Sequence, residues 1–154
     1  SPQYHFDMVR LGIGLHGISA THANLQPVSS FKTYISSIRK VPEGQSIGYG
    51  RKSYTTRPSR IAVIPVGYAD GLNRHLSNRV GNVFIKGKRV PIIGNICMDT
   101  CMIDVTDTNA AIGDEVEIFG KHILVSELSE QLGTIPYEIL TGISHRVKRV
   151  YYKE

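Results

Sequence analysis

Between positions 27 and 125 the apolar residues fall into short runs, at 28–39, 46–54, 60–66, 80–85, 90–93, 99–105, 115–119 and 122–124, with Gly, Pro, Asp or Asn between most of them. Runs this short, rich in Val, Ile, Phe, Tyr and Thr, predict the strands of a mainly β domain. The alternation is cleanest in Glu115-Val116-Glu117-Ile118-Phe119, after a turn at Ala111-Ile112-Gly113-Asp114. From Asp99 onward, Cys101, Ile103 and Val105 alternate with Thr100, Met102 and Asp104, the period of a half-buried strand. Upstream, Lys86-Gly87-Lys88 separates two apolar runs, and Gly87 supplies the positive φ of a tight hairpin turn. Between Gly94 and Asp99 the phase slips, because Ile92 and Ile93 are adjacent while Ile96 and Met98 sit on the other parity. That slip predicts a turn or bulge at a sheet rim, where backbone N–H groups and side chains are free to meet a ligand. Ser126 is placed to cap a short helix that runs through Leu132 and stops at Gly133, and Thr134 with Pro136 opens a second one reaching Leu140 and Gly142. Residues 143–152 read as a closing strand, and 8–17 as a short apolar segment punctuated by glycine.

A chain of 154 residues with a 41% hydrophobic fraction is expected to form one domain of ordinary size with a packed core. No apolar run approaches the ~18 residues of a membrane span, and Ser1-Pro2-Gln3-Tyr4-His5-Phe6-Asp7 has no signal-peptide layout, so a soluble cytoplasmic chain is expected. The formal net charge of +5 is spread over many separate positions rather than one dense block, which reads as a solvated face and not a nucleic-acid surface. Cys97 and Cys101, four apart on one strand, would stand roughly 13 Å from each other. That separation excludes a disulfide or a shared zinc and makes them small core residues, with no metal site.

Three glycine-containing stretches bear on chemistry. Gly12, Gly14 and Gly17 match G-x-G-x-x-G, yet no helix pattern follows and no Asp or Glu occurs between Asp7 and Glu43. A dinucleotide-binding turn needs both, so that reading fails and only a simpler backbone cradle for a phosphate survives. Gly48-Tyr49-Gly50 sets a tyrosine between two glycines, and Gly67-Tyr68-Ala69-Asp70-Gly71 presents another at the end of the apolar run 61–66. Each is either an exposed ring that meets a ligand or a partly buried tyrosine at a strand end.

Gly48-Tyr49-Gly50, then IPVGYADG from Ile64, then PIIGNICMD from Pro91, in that order, resemble the carboxy-terminal domain of the alanine racemase family. MVRLGIGLHG at Met8 is similar to that family's last barrel strand, and ILTGISHRVKRVYY at Ile139 to its closing segment, so the resemblance covers essentially the whole chain. It implies a β-barrel-like domain with two short helices over residues 21–154, preceded at 1–20 by the terminal strand of a (β/α)8 barrel that holds pyridoxal phosphate. It further implies a cytoplasmic enzyme that interconverts L- and D-alanine for peptidoglycan, acting as a head-to-tail homodimer in which this domain completes the partner's site. No nucleic-acid or membrane partner is implied. A free-standing β-barrel binding or assembly module is the alternative.

The resemblance also assigns roles. Tyr49 matches the tyrosine that exchanges the substrate α-proton on one face, opposite a cofactor-bearing lysine. A tyrosine titrates near ~10 when free and needs nearby positive charge or hydrogen bonds to act as a base. Arg10 matches an arginine facing the cofactor's pyridine nitrogen, and Gly12 and Ile13 match backbone contacts to its phosphate. Met98 matches a residue whose N–H meets the substrate carboxylate, Tyr68 one at the substrate entrance, and Asp99 lies beside them in the same shell. His145 departs from the pattern, since many members have a tyrosine there that hydrogen-bonds the phosphate. It either keeps that contact as a donor or faces solvent on a strand. None of the eight lysines lies in the family's cofactor-lysine motif, so this chain is not expected to be a complete enzyme.

Overall fold

The computed structural model describes residues 2–4, 6–8, 10–19 and 25–152. Among the described residues nine strands form: β1 Phe31–Tyr34, β2 Ser37–Val41, β3 Ser46–Ile47, β4 Ser53–Tyr54, β5 Ser59–Ile64, β6 Asn82–Ile85, β7 Lys88–Ile93, β8 Cys101–Asp104 and β9 Glu115–Phe119. Two helices follow, α1 Val125–Leu132 and α2 Pro136–Thr141. Seven strands make one antiparallel sheet in the order β1-β9-β6-β7-β8-β5-β2, and β3 pairs with β4 separately. The two edges of the large sheet, β1 and β2, are successive in the chain with only Ile35 and Ser36 between them. Ile35 extends the β1 side, with its N–H on the Asp114 carbonyl and its own carbonyl taking the Gly113 N–H, while the Ser36 N–H passes to Val63 on the β5 side. One continuous segment therefore joins both edges, and the sheet curls into a half-barrel.

The core fills the concave face. Ile35, Ile64, Ile85, Ile92, Ile103, Val83, Val105 and Val116 are each at most 1% exposed, and β8 shows the alternating burial expected from its sequence. Ile139, Leu140, Ile143 and Val147 close the mouth against the same cluster. The β6–β7 hairpin turns through Lys86 and Gly87, both at positive φ (47° and 78°), the twist-matched two-residue turn. Among the described residues no helix is long and apolar enough to cross a membrane.

Three expectations are corrected. Residues 122–124 are no strand: the carboxylate of Glu117 accepts the His122 and Ile123 N–H groups (2.7 and 3.2 Å), removing the donors a ladder would need. Residues 143–152 form no strand: a turn at 145–146 is followed by chain without regular structure, Ile143 and Val147 pack on the core four apart, and Arg149 takes the Ile143, Ser144 and Val147 carbonyls. Among the described residues of the 8–17 stretch, the Leu15 and Gly17 N–H groups bond locally to the Gly12 and Gly14 carbonyls around a 3₁₀ turn over Ile13–His16. Ser126 does not cap α1. Leu124 occupies the cap, and the Ser126 carbonyl instead accepts the Ser129 hydroxyl. The expected helix stop at Gly133 is present, in the left-handed conformation at φ 64°. The expected boundary between residues 20 and 21 lies outside the described residues.

Glu117 gives the fold a pH signature. Burial raises its carboxyl, but the His122 N–H and ring and the Ile123 N–H outweigh that and leave it below the usual glutamate range. A carboxyl lowered by folding stabilises above its unfolded pKa and loses that contribution as pH falls through the folded value. Glu117→Gln is therefore expected to lower the urea midpoint at about pH 7, with the gap to wild type closing only as pH falls through the lowered folded-state pKa of Glu117, where the wild-type group also becomes neutral. A gap that persists unchanged in acid would show that the carboxylate charge contributes nothing.

Candidate functional site

The site is built on the seven residues Gly94 to Thr100 that join β7 to β8, where the sequence pattern predicts a break. Gly94 turns the chain at φ 73°, and the Cys97 N–H closes the loop on the Thr100 carbonyl at 2.9 Å. Cys97 thus lies in the loop and not on a strand with Cys101, a correction to the expected pairing on one strand. Both cysteines are free. Burial in the half-barrel pushes the Cys101 thiol up to about 12, so it is a packing residue.

Two further turns dock on this loop. The first carries Tyr49, between Gly48 (φ 73°) and Gly50 (φ 77°), conformations that glycine adopts without strain. An added Cβ at Gly48 would sit 3.4 Å from the Asn95 nitrogen and 3.6 Å from the Gly94 Cα, so the turn lies directly on the loop. The Asn95 side chain donates Nδ2–H to the Tyr49 carbonyl at 2.8 Å. The Tyr49 side chain projects outward, and the residue is 78% exposed.

The second turn carries Tyr68, the first residue of a 3₁₀ turn over Tyr68–Asp70. Its N–H and that of Ala69 donate to the Cys97 and Met98 carbonyls, each at 3.0 Å. Gly67 permits this approach, since a Cβ there would fall 2.2 Å from the Met98 oxygen. Met98 is half exposed, and among the described residues its N–H has no acceptor. An unused backbone donor therefore stands at the rim beside two tyrosines.

A charge relay that the sequence reading missed holds these pieces together. Asp70 accepts the Gly67 N–H at 2.8 Å and the Arg146 Nε–H at 2.7 Å, and Arg146 Nη2–H reaches Asp99 at 2.6 Å. Burial raises the Asp70 carboxyl, but Arg146 and the Gly67 N–H outweigh it and hold the group below the ordinary range. The three-residue spacing of Gly67 and Asp70 is the only local signal for this arrangement. Asp99 is accordingly tied to Arg146 rather than pointing freely into the site.

The remaining predicted residues lie on other segments. Arg10 and Gly12 are exposed and Ile13 is half-buried, beside α2, where the Tyr137 hydroxyl would be 3.1 Å from a Cβ added to Gly12. His145 is exposed on a turn next to Arg146, not on a strand. Among the described residues no hydrogen bond or ion pair joins Arg10, Gly12 or Ile13 to the 94–100 loop. A cleft between β2 and β5, lined by Val41, Pro42, Pro58 and the flanking residues Lys40 and Arg60, is almost wholly apolar and contains none of the predicted site residues. Among the described residues no group of three or more His, Cys, Asp or Glu is arranged to hold a metal ion.

Comparison with known proteins gives one consistent result. Residues 28–151 match the family model described as alanine racemase, C-terminal domain. The chain is 49% identical to alanine racemase 2 of Caldanaerobacter subterraneus subsp. tengcongensis, over 96% of this chain and 40% of that protein. It is 45% identical to the alanine racemase of Methanococcus maripaludis, over 97% of this chain and 43% of that protein. The alanine racemase from D-cycloserine-producing Streptomyces lavendulae superposes with a TM-score of 0.92 at 33% identity, covering 99% of this chain and 43% of that one. The Bartonella henselae alanine racemase, whose crystal structure has covalently bound pyridoxal phosphate, superposes at 0.86 and 38% identity, covering 92% of this chain and 40% of that one. The chain thus spans about two fifths of the length of the relatives it matches. With residues 28–151 matched by the family model, relatives at 45–49% identity over nearly the whole chain and a half-barrel that superposes on solved members, this chain belongs to the alanine racemase C-terminal domain family.

Proposed function

We propose that this chain is the carboxy-terminal part of a pyridoxal-phosphate enzyme that interconverts L- and D-alanine, and that it supplies the proton carrier for one face of the substrate. The observation that carries the reading is Tyr49: 78% exposed, on a turn tethered to the loop that also offers the free Met98 N–H. A proton carrier must reach solvent or substrate and still be held at its backbone, and this turn combines both. In this reading the Met98 N–H binds the substrate carboxylate, Tyr68 borders the entrance, and Asp99 acts through Arg146 to fix the loop. The site completed is that of the partner in a head-to-tail homodimer, in a cytoplasmic enzyme that serves peptidoglycan synthesis.

The residues fit the cofactor. At Gly12 an added Cβ would lie 3.1 Å from the Tyr137 hydroxyl, and the exposed Gly12 backbone beside that hydroxyl supports a phosphate contact at Gly12 and its neighbour Ile13. Gly12 and Ile13 would hold the phosphate, His145 would donate to it, and Arg10 would face the pyridine nitrogen. The cofactor, when bound, withdraws electrons from the substrate and acidifies its α-hydrogen. Guanidinium does not give up its proton, so Arg10 would leave the ring nitrogen unprotonated and temper that withdrawal. Residues 1–20 belong in this reading to the cofactor-binding barrel, and 21–154 to the β domain.

The test compares the full-length enzyme with residues 1–154 alone. The full-length enzyme should convert L- to D-alanine with about one pyridoxal phosphate per chain, and 1–154 should do neither. Racemisation by 1–154 alone, or none by the full-length enzyme, would overturn the proposal.

A further inference from the structure

The exposure that suits Tyr49 to proton transfer also leaves it without packing, and two flanking glycines at positive φ give its turn wide conformational freedom. Among the described residues its one hydrogen bond is from Asn95 Nδ2–H to its carbonyl. A carbonyl can only accept, so the Asn95 amide is oriented with Nδ2 toward Tyr49 and Oδ1 away. Oδ1 accepts from Asn78 Nδ2 at 3.0 Å, and Asn78 Oδ1 accepts from the Ser53 hydroxyl at 2.8 Å. Each amide thus uses one donor and one acceptor in a single direction from Ser53 to Tyr49.

The far end of this relay is rigid. Asn78 and Arg79 both sit at positive φ (56° and 71°), a conformation uncommon for non-glycine residues and least unfavourable for Asn. It is held by the Asn78 N–H on the Gly94 carbonyl (3.0 Å) and the Arg79 N–H on the Ile92 carbonyl (2.7 Å). Ser77 adds a third tie, its hydroxyl accepting the Ile96 N–H at 3.0 Å. Residues 77–79 are therefore locked along the strand that leads into the site loop, and Asn95 transmits that position to the Tyr49 backbone.

We infer that Asn95 and Asn78 are positioning residues for Tyr49, fixing the turn from which its hydroxyl exchanges the substrate proton. This rests on the racemase reading for its consequence, though the tether itself does not. Misplacement of a reacting group by ~1 Å can cost up to ~10²-fold in rate, and neither asparagine is assigned to touch the substrate. Loss of the tether should therefore lower kcat about tenfold with KM nearly unchanged.

The experiment uses full-length enzyme carrying 3-fluorotyrosine at position 49, with Asn95→Asp and Asn78→Gly compared with wild type. Asn95→Asp keeps the size and the acceptor but removes the donor to Tyr49; Asn78→Gly keeps the positive φ and removes the amide. Expected are a shifted or multiple fluorine resonance and the kcat loss in both variants. A fluorine line unchanged in both, or unchanged kcat while Tyr49→Phe is inactive, would overturn the assignment. Should Tyr49→Phe itself stay active, the racemase role of Tyr49 fails, and the fluorine line alone still decides whether the tether exists.

Discussion

In the full-length enzyme, Tyr49→Phe should lower alanine racemisation by at least ~10²-fold, the usual scale for a positioned acid or base, with cofactor content close to wild type. The substitution keeps the ring and deletes only the hydroxyl. Tyr49 makes its one described hydrogen bond through its backbone carbonyl and is mostly exposed, so the fold has nothing to lose. Thermal stability should be unchanged and kcat and kcat/KM should fall together, the pattern of an interaction made in the transition state. Turnover within a few-fold of wild type would place the proton carrier elsewhere.

The largest effect on stability is expected from Gly67→Ala. The backbone at Gly67 is extended (φ −139°), which alanine tolerates, so the whole penalty is steric. The added methyl would lie 2.2 Å from the Met98 oxygen, 2.3 Å from the Cys97 oxygen and 2.4 Å from the Met98 carbonyl carbon. These are backbone atoms whose carbonyls accept the Tyr68 and Ala69 N–H groups, so relief requires breaking the contact between the turn and the loop. Overpacking of this kind costs about 3 kcal/mol, or a fall in Tm of roughly 10 °C for a domain of this size. A melt within about 2 °C of wild type would show that the two segments are not pressed together as described.

Most of the sheet was legible because its strands are local patterns. Alternation marked β8 and β9, Gly87 marked the β6–β7 hairpin, and the phase slip marked the β7–β8 loop on which the site stands. The two stretches misread as strands at 122–124 and 143–152 share a physical reason: backbone groups that a strand would use are taken by side chains. Glu117 captures two N–H groups beyond β9, and Arg149 captures carbonyls in the closing turns. The glycine-flanked tyrosines could be recognised as special because glycine records a backbone demand in the sequence itself. Asn95, Asn78 and Arg146 leave no such record, and Asp70 only its spacing from Gly67. Asn95 and Tyr49 are 46 residues apart, Arg146 and Asp70 76, and only the strand order brings them together.

The role of Tyr49 on one face of the substrate is tested most directly by hydrogen exchange. Full-length enzyme bearing Tyr49→Phe would be incubated separately with L-alanine and D-alanine in deuterated water, and deuterium at the α-carbon followed by NMR before any net inversion. A carrier acting on one face predicts that exchange is lost for one enantiomer and kept for the other, where the opposing base still works. Exchange retained for both, or lost from both with cofactor fully bound, would contradict it.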